Sequence, residues 1–189
     1  MIIYVKNMIS QRCKIVVNNI LQSFGLEAKD IMIGEVLLKE KVPVFKLMQV
    51  DAALKETGLE LVFDKKSQLV QQIKNIILEL IHFSAEPLLM KFSCYLSSRL
   101  NYNYTYLAGI FKKISGITIE HFIISQKIEK VKSMLMAGDM PLSEIAYRMN
   151  YSSVSHLSAQ FKKVTGYNAS EYRSLRIHSL ADVPEKIAS

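Results

Sequence analysis

Two stretches of this chain repeat one another. Leu96–Tyr102 (LSSRLNY) returns as Ile145–Tyr151 (IAYRMNY), 49 positions later. Leu107…Phe111-Lys112-Lys113-Ile114-Ser115-Gly116 returns as Leu157…Phe161-Lys162-Lys163-Val164-Thr165-Gly166, now 50 positions later. The change of offset places a one-residue insertion in the turn between the two halves of the unit. Chance rarely repeats two such patterns in order, so the chain carries two copies of one structural unit. Each copy reads as a short helix, a tight polar turn and a second helix with a basic end, the outline of a helix-turn-helix. Two such units in one chain point to DNA as the partner.

The rest of the composition agrees. Of 189 residues, half are apolar, enough for one large domain or two small ones with a sizeable core. No run of eighteen uncharged apolar residues suggests a membrane span, and no basic, apolar and cleavage segments in series suggest a secretory signal. Two cysteines, Cys13 and Cys94, make no disulfide framework and suit a reducing cytoplasm. The net charge of +7 is uneven: residues 1–84 carry +2, residues 85–176 carry +6 and residues 177–189 carry −1. The excess therefore sits on the duplicated segment, where counterion release would favour a phosphate backbone.

The predicted fold class is α+β: an N-terminal ferredoxin-like βαβ sandwich, then an all-α domain with two helix-turn-helix units joined by a long helix. Ile2–Lys6 reads as a strand, Val16–Phe24 as a helix ended by Gly25, and Ile31–Leu38 as one bent strand or two joined at Gly34-Glu35. Val44–Thr57 has helical character and Leu59–Phe63 alternates like a last strand. This order suggests the split βαβ sandwich. Asp64–Phe83 carries Leu69, Ile73, Ile76, Ile77 and Leu80 on one stripe, an amphipathic helix that is a connector, a dimer seam or part of a core. The expected divisions are 1–64 for the sandwich, 65–86 for the connecting helix and hinge, 87–176 for the helical domain and 177–189 for a flexible tail. Pro87 can open the next helix, which Leu89-Met90 begins.

In the helical domain, Phe92–Leu100 and Tyr104–Ser115 form the first unit, with Asn103 as N-cap; Leu142–Met149 and Ser153–Val164 form the second, capped by Ser152 or Ser153. Leu107, Ile110, Phe111 and Ile114 lie on one face of the first second-helix, and Val154, Leu157, Phe161 and Val164 on that of the other. The opposite faces carry Thr105, Ala108, Gly109 and Lys112, and Ser155, His156, Ala159 and Lys163. Those faces can enter a major groove. Lys112-Lys113 and Lys162-Lys163 either offset the helix dipole or touch phosphate. Arg99 and Arg148 suit an ion pair or a phosphate contact. The linking helix Ile119–Met136 would span roughly 27 Å, and successive major grooves recur about every 34–36 Å.

Residues 88–176 resemble the DNA-binding domain of AraC/XylS-type transcription regulators. The likeness is carried by Tyr106-Leu107…Phe111-Lys112-Lys113…Gly116, Ile145–Tyr151, Ser155-His156-Leu157-Ser158…Phe161-Lys162-Lys163 and Gly166–Arg173. It implies a cytoplasmic, nucleoid-associated bacterial regulator that binds double-stranded promoter DNA and touches RNA polymerase, with a homodimer and a small-molecule effector as further expectations. Asn103, Thr105, Ala108, Gly109, Lys112, Lys113, Ser153, Ser155, His156, Ala159, Lys162 and Lys163 are its candidate contacts. The chain departs from the family in having Ala169 for Pro, Asn150 for Gly, and Ala108, Gly109 and Ala159 where Arg or Gln often stand. Small side chains make no bidentate base contacts, so readout is expected from Thr105, Ser155 and His156, with reliance on phosphates and DNA shape.

Asn7–Cys13 resembles the metal loop of heavy-metal-associated domains, with Ser10 in place of its first cysteine; one thiolate does not make a soft-metal site. No metal, cofactor or enzymatic constellation is expected. The alternatives are a metal sensor or carrier acting through the N-terminal domain, and an interaction module that has lost DNA readout.

Overall fold

The computed structural model describes residues 1–84, 88, 90–138 and 140–174. Pro87, Leu89 and the 177–189 tail, to which the sequence assigned a helix start and flexibility, lie outside them. Strands β1 (Ile2–Lys6), β2 (Ala28–Met32), β3 (Glu35–Leu38) and β4 (Glu60–Val62) alternate with helices α1 (Gln11–Ser23) and α2 (Val44–Glu56). The sheet order is β2-β3-β1-β4 with every neighbouring pair antiparallel. This is the ferredoxin-like split βαβ sandwich expected from the order of elements. The apolar run at 31–38 resolves into two strands because Gly34, at φ +70°, turns the chain between them.

The sandwich buries both faces of its central strand. Ile3 and Val5 point into a cluster with Val17 and Leu21 of α1 and Leu47, Val50 and Leu54 of α2. Tyr4, between them, points to the other face by strand alternation and hydrogen bonds to Gln72 of α3 (Lys65–Leu78). Asp51 ties α2 to β4: its carboxylate accepts from the Leu61 amide at 2.8 Å and pairs with Lys55 at 2.7 Å.

Helix α3 starts at an Asp64 cap and buries Leu69, Val70, Ile73, Ile77 and Leu78. It packs on β1 and on α5 (Tyr104–Ser115). Its approach to the β2–β3 turn depends on Gly34, where a Cβ would run into the Asn75 side chain. The amphipathic stripe of α3 is therefore core. Contacts group Met1–Glu79 with Phe92–Ile119 as one compact unit, so α4 (Phe92–Leu100) and α5 belong with the sandwich.

The second unit comprises Leu80–Lys91 and everything from Glu120 onward. Its described elements are most of a π-helical turn (Glu79–Phe83), most of α6 (Ile119–Ala137), α7 (Leu142–Arg148), α8 (Val154–Thr165) and a helical stretch at 169–174. Ile128, Val131 and Leu135 of α6 form its core with Ile145, Leu157 and Phe161. His82 in the π-turn pairs with Gln126 at 3.3 Å, and Lys130 donates to the His82 carbonyl. Burial holds the His82 imidazole below its usual pKa.

Candidate nucleic-acid interface

Each second helix is held at both ends by local chemistry. The Asn103 carboxamide accepts from the Thr105 amide at 2.8 Å, and the Ser153 hydroxyl accepts from the His156 amide at 3.1 Å. These satisfy donors that a helix start leaves open. Gly116 and Gly166, at φ +75° and +82°, close the other ends, each donating its amide to a lysine carbonyl (Lys112 and Lys162). In both turns an asparagine takes a left-handed backbone, Asn101 at φ 58° and Asn150 at φ 53°. Asn150 therefore holds the turn for which the family commonly uses glycine, and its side chain also donates to the Leu88 carbonyl at 3.0 Å.

The inward faces are anchored by Leu107, Ile110 and Phe111 in α5 and by Leu157 and Phe161 in α8. Ile114, Val154 and Val164, expected to share those faces, are exposed. They lie at helix ends, where the core has run out. On the outward faces, Thr105, Gly109, Lys112, Lys113, Ser155, His156, Ala159, Lys162 and Lys163 are exposed. Ala108, expected there too, is half-buried. It sits on the flank of α5 beside the core residue Leu107. A Cβ at Gly109 would meet nothing within 4 Å, so that part of α5 is open space.

His156 is poised by its neighbours. Its Nδ1 lies 3.0 Å from the Ser152 hydroxyl, and its ring meets Tyr151 edge-on at 5.2 Å between centroids. Tyr151 is itself buried beneath the Lys127 ammonium, 5.1 Å from the ring centre. Burial pushes the Tyr151 phenol up to about 12, and its hydroxyl has no hydrogen-bond partner among the described residues. In the first unit the corresponding aromatics are Tyr102 and Tyr106, stacked at 5.4 Å with an interplanar angle of 27°. The sequence reading missed this pair, although two tyrosines four apart at a helix start were a visible signal. Arg148 pairs with Glu144 at 2.7 Å, while Arg99 lies near Glu35 and favours its carboxylate against burial and the Asp30 charge, which together raise its pKa.

Two features elsewhere are structural in the first instance. Ser10 caps α1 and lies 3.2 Å from the Cys13 sulfur. Burial pushes the Cys13 thiol up, but the Ser10 hydroxyl and the amides of Ile9, Ser10 and Cys13 outweigh it and leave the pKa lowered. Among the described residues no three His, Cys, Asp or Glu side chains are placed to hold a metal. No described helix is long and apolar enough to cross a membrane.

With the doubled unit in view, comparison with known proteins is decisive for this half of the chain. Residues 96–174 match a family described as helix-turn-helix domain. A putative AraC-like transcription regulator of Streptomyces antibioticus is 37% identical over 67 residues, covering 35% of this chain and 22% of its own length. Residues 96–174 form an AraC-type helix-turn-helix domain. An uncharacterized HTH-type transcriptional regulator of Bacillus subtilis (strain 168), YtdP, is 34% identical over 105 residues, 54% of this chain and 13% of that protein. The solved C-terminal domain of AraT, a response regulator from Geobacillus stearothermophilus, aligns with a TM-score of 0.51 at 26% identity, covering 66% of this chain and 95% of that one. The aligned segments thus cover less than a quarter of these two curated relatives' length. These relatives are described as regulators.

Proposed function

We propose that this chain is a DNA-binding transcription regulator whose two AraC-type units each present a second helix, α5 and α8, to the major groove of promoter DNA. The observation that carries this reading is the double construction. Two second helices are built on a side-chain cap at the equivalent position, the same glycine end, the same left-handed asparagine in the turn and the same terminal lysine pair, and each leaves its outward face open. The small side chains at Ala108, Gly109 and Ala159 shift affinity toward the backbone, with Lys112, Lys113, Lys162 and Lys163 as the phosphate contacts. Thr105, Ser155 and His156 supply polar readout. Asn103 and Ser153 act mainly through the caps they make. DNA as the partner places the protein in the cytoplasm on the nucleoid, with RNA polymerase as its downstream partner.

Binding is expected to fall steeply with salt, because neutralising phosphates releases counterions. Changing Lys112, Lys113, Lys162 and Lys163 together to Glu should abolish binding to a selected duplex of about two helical turns, and gel-shift titrations at several salt concentrations would show it. Unchanged affinity in that variant would move the docking face elsewhere.

A further inference from the structure

The first unit has a groove-facing surface with little on it. Gly109 has no side chain, Ala108 is half-buried, and the cap at Asn103 engages its own carboxamide. Thr105 is exposed there but short, and the large side chains that project from this end of α5 are aromatic. Tyr102 and Tyr106 are each 49% exposed, a large fraction for rings of this size, yet they are ordered against each other by stacking. Tyr106 lies in the first turn of α5, and it is the N-terminal residues of a second helix that reach base edges. By the 50-residue register it occupies the place that His156 holds in the second unit, and Tyr102 matches Tyr151 at the offset of 49. The same two positions therefore form an aromatic pair in both copies. In one copy the brace is buried and the reader is an imidazole; in the other both rings face outward.

We propose that Tyr106, braced by Tyr102, is a base-reading side chain of the first unit beside Thr105, and that it selects thymine through the C5-methyl group. The proposal rests on the DNA-binding reading above. A phenol ring edge lacks the paired donors that read guanine and the amide that reads adenine, but it offers an apolar surface at the height where a thymine methyl projects into the major groove. The open space at Gly109 lets the duplex approach closely enough for that contact. The Tyr102 ring, stacked on one side, fixes the rotamer of Tyr106, so the contact costs little ordering. The phenol hydroxyl remains free to reach a phosphate, which holds the register without adding sequence information.

The test uses the full chain. Duplexes bound by the wild-type protein are selected from a randomised pool, and each selected thymine is then replaced by deoxyuracil, which removes only the methyl. One position in the site of the first unit should lose about fourfold in affinity, the equivalent of one buried carbon. Tyr106→Ala should lose both the preference for thymine there and the sensitivity to the methyl, while Tyr106→Phe keeps both. Tyr102→Ala should weaken the discrimination without shifting it to another position. His156→Ala serves as the control and should alter only the other half of the site. If Tyr106→Ala binds with the thymine preference and methyl effect intact, Tyr106 is not the reader and the proposal fails while the regulator reading stands. If the wild-type chain selects no duplex at all, both fall together. Circular dichroism of each variant checks that helix content is retained.

Discussion

The first helix-turn-helix links its helices through three residues, Asn101 to Asn103, and the second through five, Met149 to Ser153. The extra length includes one inserted serine, and its consequences reach the aromatic at the turn. In the shorter turn Tyr102 stays at the surface and stacks on Tyr106; in the longer one Tyr151 is buried to 9% exposure and its ring becomes a floor for His156. The surroundings differ as well. Phe111 of the first unit has α5 packed under α3, with Lys74 5.9 Å over its ring. Phe161 of the second meets Tyr172 edge-on at 5.4 Å. A duplicated motif thus kept its hydrogen-bonded ends and diverged in what lies against its core and what projects from its reading face.

The largest expected effect breaks the two copies apart. Phe111 and Phe161 are both fully buried, and changing either to Ala should cost about 3–5 kcal/mol in urea unfolding. The copies should differ in where the damage spreads. Hydrogen exchange of Phe111→Ala should rise in the strands of the sandwich, because α5 shares a compact unit with them, whereas Phe161→Ala should leave those strands protected. Equal spread from both substitutions would mean that the chain unfolds as one body.

A smaller effect separates the two turn tyrosines. The fold favours the neutral Tyr151 phenol, with its pKa raised from 10 to about 12. That contribution is complete below pH 10 and is lost as pH rises from 10 toward 12. Tyr151→Phe should therefore show a shallower alkaline decline in stability than the wild type, at no cost near neutral pH because the hydroxyl has no partner among the described residues. An unchanged decline would show that Tyr151 titrates at its ordinary value. The smallest contrast lies at the last residues of α5 and α8. The Thr165 hydroxyl donates to the Phe161 carbonyl at 2.8 Å, whereas the buried Ser115 hydroxyl at the matching position has no partner among the described residues. Thr165→Ala should lower stability by about 1 kcal/mol and Ser115→Ala should be neutral or stabilising, read from thermal melts.

Much of this was legible along the chain because it is local. Asn103, Ser153, Gly116 and Gly166 act within a few residues of where they stand, and the strand and helix order of the sandwich follows from periodicity. What could not be read depended on distant partners. The stripe Leu69–Ile77 announced a buried face without saying that β1 and α5 cover it. Nothing near Gly34 in sequence indicates that Asn75 needs its missing side chain. In the two second helices, helical spacing put Ala108 outward and Ile114, Val154 and Val164 inward, whereas Ala108 is half-buried and the other three are exposed. A periodicity of 3.6 assigns directions, whereas burial depends on where the neighbouring element stops. Tyr106 stands in the family-like motif without marking itself as a reader, because charged and amide side chains are the usual readers of guanine and adenine.

The position of α3 bears on any effort to use the first unit in isolation. Excising the chain at the proline that precedes the duplicated segment would strip Ile73 and Ile77 from their place in the same compact unit as Phe111 and leave an oily scar beside the reading helix. A chimera that borrows this helix-turn-helix must therefore import α3 as well, and with it a surface shaped to rest on a β-sheet.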